Sequence, residues 1–205
     1  QDNAISLDIM IPKVGDFDYK KNAAKVHEFA SEGSNINAVC RMAAGKTNLW
    51  ALCGIRQDKT ISGTGISSHQ CAIKYSSFSN LSFKTSFEGK DSDIAIGSYF
   101  SVWQDKPVIF IPQHYSCSLM TFDGTKWNKK EKFVDVGALG SWFGAYINKI
   151  GGTAPAYFST TDNGYLHIAS FASRTGDKGK SGTYLFSLAP GSDKPLVEFV
   201  TEGED

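Results

Sequence analysis

His69 stands shortly before Cys71, and His114 shortly before Cys117, residue types that hold zinc when four of them converge. The two pairs recur in successive repeats of the chain, too far apart to share one ion, and neither Cys-x-x-Cys nor His-x-x-x-His occurs. No metal and no other cofactor is therefore expected. Asp91, Asp93 and Asp135 are carboxylates of the kind that flank a glycosidic bond during hydrolysis. They fall among turn residues, where such acids ordinarily serve as solvated or turn-bonding groups. There is no Gly-x-Ser-x-Gly elbow, phosphate loop or His-Glu-x-x-His, so an enzyme is not the favoured reading. Tyr99, Trp103, Trp142 and Tyr146 supply flat apolar faces, which stack on sugar rings or pack between sheets.

The elements that must position these groups are strands. Short β-branched and aromatic runs alternate with Gly, Ser, Asn and Asp throughout. The best helical stretch, Tyr19 to Phe29, lacks a cap and an apolar stripe and reads as strand and loop.

The chain also repeats itself. GSYFSVW at residues 97–103 returns as GSWFGAY at 140–146, with a looser copy, GSNINAV, at 33–39. Each copy is followed by three more apolar runs, and four short antiparallel strands per 40 to 50 residues or so is the pattern of a β-propeller blade. The units run 33–96, 97–139 and 140–190, and residues 191–205 with 1–32 make a fourth of similar size. The expected fold is a single all-β domain over residues 1–205, a four-bladed β-propeller closed by strands from both termini. Part of a larger propeller and a two-sheet β-sandwich stay open as alternatives. The first unit is the longest because of QDKTISGTGISSH at 57–69, read as an inserted loop on the face that carries function.

Two stretches resemble known propellers. Thr160 to His167, TTDNGYLH, is similar to the Asp-box turn of sialidase-like propellers, with His167 where an aromatic residue is usual, and Phe122 to Trp127, FDGTKW, looks like the hairpin turns of propeller lectins. The resemblance implies blades. Sialidase chemistry would also need three arginines converging on a carboxylate. The chain has only Arg41, Arg56 and Arg174, assigned to different faces, which argues against it.

Composition narrows the partners. Lys plus Arg equals Asp plus Glu at 21 each, so no overall field draws the chain to nucleic acid or an anionic membrane. No apolar stretch approaches the length of a membrane-spanning helix. Four cysteines, Cys40, Cys53, Cys71 and Cys117, allow two disulfides and suit an oxidising compartment. Cys40 with Cys53 is the favoured pair and Cys53 with Cys71 its rival. Asn80 opens an Asn-Leu-Ser glycosylation tripeptide. The expectation is a secreted or cell-surface recognition module that binds a glycan or a partner protein without catalysis. Tyr99, Trp142, His114, Tyr115, Asp162, Asn163 and Arg56 are the candidate ligand-binding residues. A propeller glycosidase and a protein-interaction scaffold without sugar affinity are the alternatives.

Overall fold

The computed structural model describes residues 3–10, 18, 21–31, 35–61, 64–91, 94, 98–112, 116–135, 141–142, 156–161, 163–174 and 180–202. Among these described residues the regular elements are fifteen strands, as the β-branched and aromatic texture predicts. Two compact units divide the chain, Gln1–Ile96 and Gly97–Asp205.

In the first unit β1 (Asn3–Met10) and β2 (Ala23–Ser31) form an antiparallel hairpin. The stretch weighed as a helix thus ends in a strand. Then β3 (Asn35–Ala44), β4 (Asn48–Ile61), β5 (Thr64–Ser77) and β6 (Asn80–Gly89) make a four-stranded meander. Val26 and Phe29 of the hairpin bury themselves against Ala51, Cys53, Ile55 and Ala72 of this sheet. Trp50 through Ile55 are buried without alternation, apart from the glycine among them carrying no side chain, so β4 is covered on both faces.

The insertion at 57–69 is not a loop. β4 and β5 stay paired out to Ile61 and Thr64, because Thr, Ile and Ser continue the strand pattern through the inserted residues. Gln57, only 2% exposed, donates through Nε2 to the Ala30 carbonyl at 2.9 Å. The extension is therefore anchored to the hairpin at its base.

In the second unit β7 (Tyr99–Trp103), β8 (Lys106–Pro112), β9 (Ser116–Phe122) and β10 (Trp127–Asp135) form another four-stranded meander. The remaining strands are β11 (Ser141–Trp142), β12 (Ala156–Thr160), β13 (Leu166–Arg174), β14 (Gly182–Leu188) and β15 (Leu196–Glu202). They share one sheet, in which β12 to β15 run as a meander and β11 takes two positions along β13 beyond β12.

Two expectations are corrected here. Among the described residues, 196–202 do not pair with N-terminal strands: β15 is hydrogen-bonded to β14 from Gly182↔Glu202 to Ser187↔Leu196 and ends its sheet, while β1 and β2 pair only with each other. No sheet among the described residues is closed by strands from both termini. The two described residues of GSWFGAY, Ser141 and Trp142, moreover, pair with β13, opposite Arg174 and Ser173, rather than with β12, so they do not take the first-strand place in the meander. The meander begins instead at Ala156.

The two sheets of this unit pack face to face. Val108, Phe110, Cys117, Leu119, Phe133 and Val134 meet Leu166, Ile168, Ala172, Tyr184, Phe186 and Leu188 in one core. Phe110 and Phe186 lie 6.1 Å apart at its centre, and each buried ring of this size contributes about 2 to 3 kcal/mol. Consecutive buried residues in β8, including Ile109 and Ile111, place it under cover on both faces.

Candidate functional site

Turn chemistry builds a cleft in the second unit. Strand β7 ends at Trp103, and the chain reverses through Gln104 and Asp105 at φ of 52° and 60° into Lys106. Next to this turn lie the end of β9, Thr121 and Phe122, and the β14–β15 turn, which Gly191 makes at φ 74° with Ser192 donating its amide to Ala189. Together with Pro107 and Val108 these residues line a cleft of about 250 Å³.

Two contacts hold the turns of one sheet against the other. Trp103 donates its indole N–H to the Gly164 carbonyl at 2.7 Å, and Lys130 pairs with Asp193 at 3.0 Å and bonds its backbone carbonyl as well. The β12–β13 turn is itself fixed: Gly164 N–H donates to the Thr161 carbonyl at 2.8 Å, and Tyr165 N–H to the Thr161 hydroxyl at 3.0 Å. A Cβ on Gly164 would stand 3.1 Å from the Pro190 ring. Glycine is thus needed both for its φ of 84° and for the close approach.

The lining has a defined chemistry. Trp103, Phe122, Pro107 and Val108 give apolar walls, while Gln104, Lys106, Thr121 and Ser192 give an amide, an ammonium and two hydroxyls. Lys106 also donates to the Asp123 carbonyl at 3.0 Å, which holds it beside the β9–β10 turn. No carboxylate, imidazole or thiol is among these lining residues, so the cleft offers stacking and hydrogen bonding but no acid–base pair.

The residues expected from sequence fall as follows. Asn163 is exposed in the turn that Trp103 reaches, where its Oδ1 accepts from the Thr161 hydroxyl. Tyr99 lies at the other end of β7, half-buried against the core. Arg56, in the first unit, is exposed and pairs with Asp58 at 3.2 Å. Trp142 is placed by its backbone alone, opposite Ser173, and His114, Tyr115 and Asp162 lie outside the described residues. Of the carboxylates, Asp91 accepts the Ile94 N–H at 3.3 Å and Asp135 is exposed at the end of β10; Asp93 is outside the described residues. Among the described residues no three His, Cys, Asp or Glu side chains gather to hold a metal.

Sequence reasoning missed Gln104, Lys106, Thr121, Phe122 and Ser192 as a group. The available signal was positional: these residues belong to first-to-second and third-to-fourth strand turns of neighbouring meanders, the face opposite the one judged functional.

The cysteines are sorted by register. Cys40 and Cys53 are direct cross-strand partners with their sulfurs 2.9 Å apart, and the Sγ–Sγ bond is not formed. The rival pairing of Cys53 with Cys71 is excluded: Cys53 sits opposite Ala72 and Cys71 opposite Gly54, a one-residue offset that sends the side chains to opposite faces. Burial is the main reason the Cys71 thiol is pushed up to about 11 and the Cys117 thiol is raised well above the usual range. Asn80 is exposed at the β5–β6 turn.

The chain matches no protein-family model, no curated protein and no solved structure.

Proposed function

We propose that this chain is a non-enzymatic recognition module whose meanders are blades of a propeller-type stack, and that the Trp103–Ser192 cleft binds a glycan. One observation carries the reading: apolar and aromatic walls alternate there with an amide, an ammonium and two hydroxyls in a space of about 250 Å³. A sugar ring needs an apolar platform for its C–H face and donors and acceptors for its hydroxyls. A flat protein epitope would not need a cleft. The face-to-face packing of β7–β10 on β12–β15 supports blades, and the exposed Asn80 supports passage through a secretory pathway to the outside or the cell surface.

A glycan array probed with the wild-type chain, followed by titration calorimetry on the strongest sugar, tests the reading. Phe122→Ala and Gln104→Ala should each weaken binding about 10-fold or more, the effect of losing one stacking face or one well-made hydrogen bond. An array without signal, or affinities untouched by both changes, would sink it.

A further inference from the structure

Cys40 and Cys53 stand opposite one another on β3 and β4, and their sulfurs approach to 2.9 Å. Non-bonded sulfur atoms ordinarily keep farther apart, and the move to the roughly 2.05 Å of a bond is under about 1 Å. Their surroundings differ sharply. Cys40 is exposed on the edge strand, whereas Cys53 is fully buried beneath Val26 and Phe29 of the hairpin. We propose that Cys40 and Cys53 form a redox modification site, in which Cys40 reacts first with an oxidant from solvent and Cys53 resolves the product into a reversible cross-strand disulfide.

The chemistry uses a low-molecular-weight disulfide such as oxidised glutathione as oxidant. The Cys40 thiolate attacks one of its sulfurs; that S–S bond breaks, and one glutathione leaves with the electron pair and takes up a proton. Cys53 then gives its proton to solvent and attacks the Cys40 sulfur of the mixed disulfide, expelling the second glutathione. Two protein thiols are oxidised and one small disulfide is reduced to two thiols. The Cys40–Cys53 hydrogen bond lowers the Cys40 thiol, against its partial burial and with the Arg41 charge adding a little, while the same hydrogen bond and burial raise Cys53 and hold it protonated until attack. Cys71, opposite Gly54 and Gly89, and Cys117, opposite Pro112 and Val134, have no thiol across from them. They serve as internal controls.

The test equilibrates the whole chain in glutathione buffers of rising oxidised fraction, quenches with acid, alkylates under denaturing conditions and maps the peptides. The expected result is loss of two of the four free thiols, with the Cys40 and Cys53 peptides joined and Cys71 and Cys117 alkylated. Alkylation of both Cys40 and Cys53 in the most oxidising buffer overturns the proposal. Cys53→Ala should carry one glutathione on Cys40, and Cys40→Ser, a change at an exposed position, should carry none. Glutathione on Cys53 in Cys40→Ser would equally overturn it. If Cys53→Ala does not fold, the wild-type map and Cys40→Ser decide.

Discussion

The indole nitrogen of Trp103 donates to the Gly164 carbonyl at 2.7 Å, joining residues 61 positions apart across two facing sheets. Trp103→Phe keeps a ring in the core edge but leaves that carbonyl without the donor. The expected loss is about 1 to 2 kcal/mol in urea unfolding. Glycan binding should weaken with it, since Trp103 also forms a wall of the cleft. Unchanged stability would mean that this contact does not hold the two sheets in place.

Gly182 begins β14 at φ 152°, and a Cβ there would lie 2.0 Å from the Thr201 carbonyl oxygen and 2.9 Å from its carbon. Backbone cannot yield as a side-chain tip can. Gly182→Ala should therefore cost about 4 kcal/mol or more, seen as a collapse of soluble yield or of the melting temperature. Gly124→Ala is the comparison: its φ of 109° is strained for alanine, yet nothing lies within 4 Å, so about 1 to 3 kcal/mol is expected. Equal losses would show that the close approach at Gly182 is relaxed elsewhere.

The contrast between these strands and the repeat that first marked the chain shows what was readable. Strand type came through because β-branched and aromatic runs bounded by Gly and Ser leave few other options, and the meanders β3–β6 and β7–β10 follow the units expected from them. Strand assignment failed at GSWFGAY. Its likeness to GSYFSVW is a likeness of composition, and sequence similarity does not say which neighbour a strand takes: Ser141 and Trp142 pair with β13 beyond β12. The insertion at 57–69 was misread for a related reason, since Ser, Gly and Thr suit both loops and exposed strands. Of the candidate site, Trp103 stood among the aromatics the sequence singles out, but Phe122 did not, and neither did the sequence show the cleft. It depends on turns of two sheets meeting, and on positive φ at Gln104 and Asp105, neither of which has a local sequence signature.

Asp123 gives a pH dependence with a definite sign. Its carboxylate accepts the Lys126 and Thr125 amides at 2.9 and 2.8 Å and the Asn128 side chain at 3.1 Å, and these bonds hold it at about 2, below the ordinary 3.8. A carboxyl lowered on folding stabilises the chain above its unfolded value and loses that contribution as pH falls through the folded one. The Asp123 share is thus full above about pH 4 and lost toward about pH 2. Melting curves across this window should fall less steeply for Asp123→Asn than for wild type. Parallel slopes would show that the turn bonds do not depend on the charge.

Gln104 and Asp105 hold φ of 52° and 60° in succession, a two-residue hairpin turn that Asn-Gly fills without strain and larger side chains fill at a cost of about 1 to 2 kcal/mol each. Strain of this kind persists where the side chain itself is wanted, and Gln104 faces the cleft. The two positions should therefore separate. Asp105→Gly should stabilise the chain by about 1 kcal/mol and leave glycan affinity intact, because Asp105 does not line the cleft. Gln104→Gly should stabilise it similarly while weakening binding about 10-fold, through loss of the amide's hydrogen bond. Thermal unfolding and calorimetry on both variants measure the two effects together. If Gln104→Gly gains stability and keeps full affinity, the strained turn is not retained for the ligand and the amide is not part of its site.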